Sequence, residues 1–152
     1  MKKVYTCFCT DVIHEGHLNI LKRAGEYGEV YVGVLSDAAM VGFNRFPTIP
    51  IEQRMEIVRQ TGLAKEVLLQ QEIMYDQVIE KLRPDYVVHG DNWSNGPEKV
   101  IRENVINNLE KFGGELVEIP YTYNENVKRI DDQMKEKLAM PEFRRKRLRQ
   151  LI

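Results

Sequence analysis

The run Val30-Tyr31-Val32-Gly33-Val34-Leu35 is apolar at every position. A strand with one wet face alternates apolar and polar side chains. An unbroken apolar run instead fits a strand buried on both faces, as in a parallel sheet covered by helices. Upstream, Lys3 to Cys9 is rich in Val, Tyr, Thr and Phe and reads as a strand. Between the two, His17 to Tyr27 places Leu18, Leu21 and Gly25 at helical spacing, with Gly28 suited to the stop. Downstream, residues 38–49 hold Gly42, Asn44 and Pro47 and read as a loop. Pro50 then starts a helix to Thr61 with Ile51, Met55 and Val58 on one side. Val67–Leu69 is a short strand, and Met74–Leu82 a helix that stops ahead of Pro84. Tyr86–His89 (YVVH) is a second buried strand. Pro97–Phe112 is a helix with Ile101, Val105, Leu109 and Phe112 in one stripe, and Leu116–Ile119 is the last strand.

Strands alternate with helices, and the connections are long enough for crossovers. The expected fold is α/β: a Rossmann-like, three-layer αβα arrangement with a five-stranded, mostly parallel sheet. The 152 residues suit one domain, expected over 1–130, followed by a charged helix or linker over 131–152 that leads on to a further domain in a longer protein. Lys+Arg number 22 against 23 Asp+Glu, which argues against a nucleic-acid partner. The basic run Arg144, Arg145, Lys146, Arg147 and Arg149 reads as a solvated helix face or linker, with only Phe143 available to stack on a base. No apolar run approaches a membrane span. The start lacks the pattern of a secretory signal, and Cys7 and Cys9 form no disulfide framework, so a reducing cytoplasm is expected. The two cysteines read as small apolar fillers on one face of a strand.

In open parallel sheets ligands bind beyond the carboxyl ends of the strands, where strand order reverses. The first strand runs into Thr10-Asp11-Val12-Ile13-His14-Glu15-Gly16-His17, which opens a helix. Free N–H groups and the positive helix end favour a phosphate there. Gly16 lets it approach the backbone, and imidazoles can donate to phosphoryl oxygens as charge develops. The alternative is a set of ordinary polar residues at a helix start. A second block, Val87-Val88-His89-Gly90-Asp91-Asn92-Trp93, ends a buried strand and is expected to face the same crevice. Its alternative is a capped turn with a surface Trp.

Together these blocks resemble the cytidylyltransferase family of HxGH nucleotidyltransferases, which join CTP to a phosphorylated alcohol and release pyrophosphate. The likeness runs through HEGH at 14–17, RMEIVR at 54–59, YVVHGDNW at 86–93 and GGELVEIPYT at 113–122. It is nearest to the cytidylyltransferase-like domain associated with phosphoenolpyruvate mutase in phosphonate biosynthesis, and Met140–Leu148 resembles the junction that leads into the mutase. The resemblance implies His14 and His17 as catalytic residues that stabilise the pentavalent transition state and the leaving pyrophosphate. It implies nucleotide contacts at Cys9, Thr10, Gly16, Arg54, His89, Gly90, Asp91 and Thr122. Three departures stand out. The family's loop lysine is Asn44 here, with Arg45 as its candidate substitute. The RTxGIS(S/T)T stretch is Tyr121–Lys128, leaving Asn124, Asn126 and Lys128 as candidate phosphate donors. Phe8 and Cys9 replace the usual small residues ahead of the first motif.

The implied reaction is in-line attack by an anionic phosphonate or phosphate oxygen on the α-phosphorus of CTP. Positioning and charge stabilisation dominate, because the nucleophile is already ionised. Mg2+ is expected with CTP, bridging the triphosphate and held mainly by phosphate oxygens and water, with no protein residue assigned as a metal ligand. The implied acceptor is a small phosphonate such as 2-aminoethylphosphonate, or a phosphate monoester. Glu72, Tyr75 and Asp76 are its candidate contacts, or else ordinary residues at a helix start. A homodimer is implied, as is a fused or partner mutase. Adenylyl transfer, and a nucleotide-binding regulatory domain without catalysis, stand as alternatives.

Overall fold

A computed structural model describes residues 1–9, 12–43 and 45–139. Five strands form one sheet: β1 (Lys3–Phe8), β2 (Glu29–Leu35), β3 (Glu66–Gln70), β4 (Tyr86–Gly90) and β5 (Glu115–Ile119). Their order is β3-β2-β1-β4-β5 and every pairing is parallel. The order reverses between β1 and β4, where Val4 pairs with Tyr86, so the crevice expected of such sheets opens at the end of β1.

Side-chain alternation divides the core into two layers. Val4 and Phe8 of β1, with Val30, Val32 and Val34 of β2, pack against α1 (Glu15–Gly25) and α3 (Ile51–Gln60) through Ile20, Leu21, Ala24 and Val58. On the other face Tyr5, Tyr31 and Val87 pack against α4 (Asp76–Leu82) and α5 (Lys99–Phe112) through Ile79, Ile101, Val105 and Leu109. The three-layer expectation therefore holds, and the sheet is wholly parallel. Within α1 the buried stripe is Ile20, Leu21 and Ala24; Leu18 is only half-buried and Gly25 is exposed.

Gly33 has a definite steric reason. A Cβ there would lie 1.8 Å from the Tyr5 hydroxyl oxygen. With no side chain in the way, the Tyr5 phenol crosses β2 and its hydroxyl donates to Gln70 Oε1 on β3 at 2.5 Å.

The expected loop over 38–49 is partly helical. Asp37–Gly42 forms α2, with the Ser36 hydroxyl accepting from the Ala39 N–H at 3.2 Å. Ser36-Asp37 is an N-cap with an acidic first turn, a signal that Gly42 and Pro47 obscured. A single 3-10 turn, Gly96–Glu98, precedes α5, and Gly113 ends that helix at φ 78°. The last described helix, α6 (Glu125–Ala139), runs through the 130/131 position expected to separate domain from tail. The basic run 144–149 and the junction-like segment 140–148 lie outside the described residues. Among the described residues no helix is long and apolar enough to cross a membrane.

Candidate functional site

His14 is the N-cap of α1, with extended backbone (φ −118°, ψ −176°). Its Nδ1 accepts from the Gly16 N–H at 3.0 Å, while the His14 N–H donates to His17 Nδ1 at 3.1 Å. This is a capping box in which two imidazoles do what a hydroxyl and a carboxylate ordinarily do. A backbone N–H can only donate, so both Nδ1 atoms are acceptors and each neutral ring carries its proton on Nε2. The rings lie 4.1 Å apart, and His17 also meets the edge of Phe8 at 5.0 Å. Gly16 is needed for closeness: a Cβ would sit 2.8 Å from His14 Cε1 and 3.7 Å from Thr122 Cβ.

The two rings differ in what remains open. His14 is 6% exposed, and its Nε2 meets Asp131 Oδ1 of α6 at 3.0 Å. The Tyr121 hydroxyl donates to Asp131 Oδ2 at 2.7 Å. His17 is only partly buried, and among the described residues no hydrogen bond reaches its Nε2. Burial, then the neighbouring His14, pulls its pKa down to about 4, against a smaller upward pull from Asp131. Near neutral pH His17 is therefore a neutral ring whose Nε2–H is available to a ligand. Burial and the Asp131 carboxylate hold the Tyr121 phenol well above its usual range, so its hydroxyl stays a donor.

The second block is split by the sheet. Gly90 and Asp91 belong with the histidine pair: a Cβ on Gly90 would meet Tyr121 Cδ2 at 3.3 Å, and Asp91 Oδ1 accepts from the Tyr121 N–H at 3.0 Å. The His89 ring lies on the α4/α5 side, stacked on Trp93 at 3.5 Å and 2°. The expectation that His89 faces the same crevice as His14 and His17 is not met, because His89 alternates with Val88, which faces α1. His89 Nδ1 contacts the Gly90 carbonyl at 2.8 Å, and burial lowers its pKa. Trp93 is not at the surface. It is 1% exposed, and its Nε1–H donates to Glu118, which Arg102 also grips.

A cleft opens on this second side, lined in part by Cys7, Cys9, Tyr75, His89, Trp93 and Glu98. Burial raises both thiols above their usual range, which suits fillers rather than thiolates. Of the three acceptor candidates only Tyr75 lines the cleft. Asp76 accepts from Asn104 and Asn108 of α5, and exposed Glu72 accepts from Gln77. The arginines are also engaged within the protein. Arg45 pairs with Glu98 at 2.8 Å. Buried Arg54 donates to the Ile49 and Leu35 carbonyls at 3.0 and 2.7 Å and to the Asp37 carboxylate, tying the end of β2 to the segment before α3. Asn124 caps α6 by accepting from the Val127 N–H at 2.9 Å and donates to Glu15 of α1. Lys128 pairs with Asp132 and Asn126 accepts from Arg129, both on the exposed side of α6. Thr10 and Asn44 lie outside the described residues.

Two residues of the cluster went unassigned in the sequence. In the sequence Tyr121 is only a departure from a motif, and Asp131 opens the charged tail. The spacing Val127–Asp131 puts both on one helix face, and Val127 is 1% exposed, so the face turned inward carries Asp131 with it. Among the described residues no three His, Cys, Asp or Glu side chains converge as a metal site.

Known proteins resemble this chain along most of its length. The bifunctional protein HldE of Pseudomonas aeruginosa is 28% identical over 140 residues, 90% of this chain but 28% of that protein. The ethanolamine-phosphate cytidylyltransferase of Arabidopsis thaliana is 30% identical over 96 residues, 59% of this chain and 23% of that protein. The chain thus spans about a quarter of these relatives. Among solved structures, a lipopolysaccharide core biosynthesis protein from Thermoplasma volcanium superposes with a TM-score of 0.67 at 19% identity, covering 81% of this chain and 99% of that one. Pantothenate synthetase from Thermus thermophilus gives 0.57 at 14% identity, covering 97% and 65%. These structures share the fold. Residues 5–144 match the model of the cytidylyltransferase-like family, and the chain belongs to that family.

Proposed function

We propose that this chain transfers CMP from CTP to a small phosphonate, such as 2-aminoethylphosphonate, or to a phosphate monoester, with release of pyrophosphate. The observation that carries the proposal is the pair of imidazoles capping α1 at the switch point of the sheet, one of them with an Nε2–H that no described residue engages. An acceptor oxygen attacks the α-phosphorus, the bond to the bridging oxygen breaks, and pyrophosphate leaves with that electron pair. The His17 Nε2–H donates to the phosphoryl oxygens as negative charge grows, beside the positive end of α1. Gly16 and Thr122 border this position, and Gly90 and Asp91 flank it through Tyr121. The acceptor binds beside Tyr75 in the cleft across β1. Mg2+ would enter with CTP, held mainly by phosphate oxygens and water, and would bridge and neutralise the triphosphate. The name of the Arabidopsis relative, which includes a phosphate monoester of a small amino alcohol, supports the acceptor class. The phosphonate choice rests on the sequence resemblance alone, as does a twofold dimer, which light scattering on the purified chain tests.

A second reading is favoured by the arginines. Arg45 and Arg54 are both held in ion pairs, which leaves few cations for a triphosphate and suits a nucleotide-binding regulatory domain. Pyrophosphate release separates the two, assayed with the four nucleoside triphosphates and a panel of phosphonates and phosphate monoesters. The transferase reading expects release with CTP and one acceptor class. CTP binding without release for any acceptor establishes the regulatory reading, and release with ATP alone replaces CTP by adenylyl transfer.

A further inference from the structure

We infer that Glu98, with the His89 ring near it, reads a primary ammonium group on the acceptor and so sets the acceptor's class. The inference deepens the transferase reading and rests on it for the identity of the ligand. The cleft across β1 has mainly apolar walls, among them Phe43, Ile73, Tyr75, Trp93 and Ile101. Burial holds His89 neutral near pH 7, so Glu98 is the one lining residue with a formal charge. A recess of aromatic faces with a single carboxylate favours a small cation over an anion or a neutral group. The cavity volume is about 30 Å3, room for a compact head group and too little for a sugar ring.

The recess holds two acceptors that lack donors. Glu98 Oε1 accepts from Arg45 Nη2 at 2.8 Å, and among the described residues none engages Oε2. A carboxylate oxygen can only accept, so Oε2 calls for a donor from the ligand. The Glu98 side chain is 25% exposed, which leaves it within reach from solvent. His89 Nδ1 lies 2.8 Å from the Gly90 carbonyl, which also can only accept, so the ring proton is on Nδ1. The neutral ring then keeps a lone pair on Nε2, and no described residue donates to it. Stacking on Trp93, 3.5 Å away and 2° from parallel, fixes the plane of the ring. A primary ammonium carries three N–H donors and can satisfy both acceptors at once. A hydroxyl offers one proton and no charge, a trimethylammonium offers no proton, and a carboxylate is repelled by Glu98. Cys9, which follows β1 directly, also lines the recess. The anionic end of a short acceptor is therefore left at the strand end, where the chain turns toward the α1 cap.

Trp93 is the chain's one tryptophan, so its fluorescence reports occupancy of the recess whether or not turnover follows. The full chain is titrated, with and without CTP, with 2-aminoethylphosphonate and with its hydroxyl, trimethylammonium and carboxyl counterparts. The amine is expected to bind roughly tenfold or more tighter than each of the others. Glu98→Gln is expected to weaken the amine roughly 10- to 100-fold, as for the loss of a hydrogen bond to a charged group, and to narrow its lead over the hydroxyl compound. Arg45→Gln breaks the same ion pair but keeps the carboxylate, so it is expected to keep the preference for the amine. Equal affinities for amine and hydroxyl in the unaltered chain overturn the inference. So does an amine preference that E98Q leaves unchanged, or one that R45Q loses as fully as E98Q, which would make Glu98 a structural partner only. If pyrophosphate is released with an acceptor that leaves the fluorescence unmoved, this inference fails and the transferase reading stands. If no nucleotide gives release, the transferase reading fails, and the amine titrations of E98Q and R45Q still decide what the recess binds.

Discussion

His17 and His14 sit three residues apart, yet the same capping box gives them different tasks. Among the described residues none engages the His17 Nε2–H, so His17→Ala is expected to lower kcat far more than it weakens CTP binding, because the bond strengthens only as charge develops. Parallel steady-state kinetics and calorimetric CTP titration check this; equal losses in both would remove His17 from the chemical step. A second prediction at this scale concerns Gly33. Alanine there would drive a Cβ into the Tyr5 hydroxyl and displace it from Gln70, so Gly33→Ala is expected to lose about 1–3 kcal/mol in urea unfolding. The histidine pair was legible because HxGH is local in sequence and lies where a strand gives way to a helix. Asp131 was not, since a residue 117 positions away and inside a charged stretch carries no local mark of its partner.

Helix α6 is the element on which the candidate site leans most and which the sequence described least. Its first turn depends on Asn124, which caps Val127 and reaches Glu15. Asn124→Ala is expected to cost about 1 kcal/mol, the usual worth of an N-cap. Hydrogen exchange should show faster amides over 127–133 with α5 unaffected; uniform protection would mean that α6 docks without its cap. The strongly patterned α5 was readable because Ile101, Val105 and Leu109 repeat at helical spacing and are all buried. By contrast α2, six residues long, has too few turns for a stripe, and its one clear signal was the Ser36 cap. In α1 the buried face is Ile20, Leu21 and Ala24 rather than Leu18, Leu21 and Gly25, since Leu18 and Ile20 are both apolar and only packing on β1 selects between them.

Across the whole molecule the sheet separates two partly buried histidines. His17 lies over Phe8 toward α1, and His89 is stacked on Trp93 toward α4 and α5. Both have pKa values lowered mainly by burial, so the folded chain holds them neutral where the unfolded chain protonates them. Unfolding then takes up protons, and stability falls with pH below about 6.5. For His17 the loss extends down to about pH 4 and totals roughly 3 kcal/mol at most, 1.36 per pH unit. Urea unfolding from pH 7 to 4.5 is expected to show this slope, reduced but not abolished in His17→Gln, because His89 contributes in the same direction. An identical slope in that variant would show that His17 is not held neutral by burial.

The chain order of strands and helices, the parallel sheet and the histidine cap were all determined by the sequence itself. Each follows from local periodicity, from turn chemistry or from residues within one helical turn of each other. Three things were decided only in the folded molecule: which side of the sheet each motif residue faces, which cations are already paired, and which distant carboxylate holds His14. The strand period of two turns His89 away from Gly90's neighbours, a division that reading YVVHGDNW as one block conceals. That Arg45 pairs with Glu98 and Arg54 with Asp37 is visible only once the fold brings those carboxylates beside them. Long-range pairing depends on how elements stack, and stacking is set by the shape of the whole core rather than by any short stretch of chain.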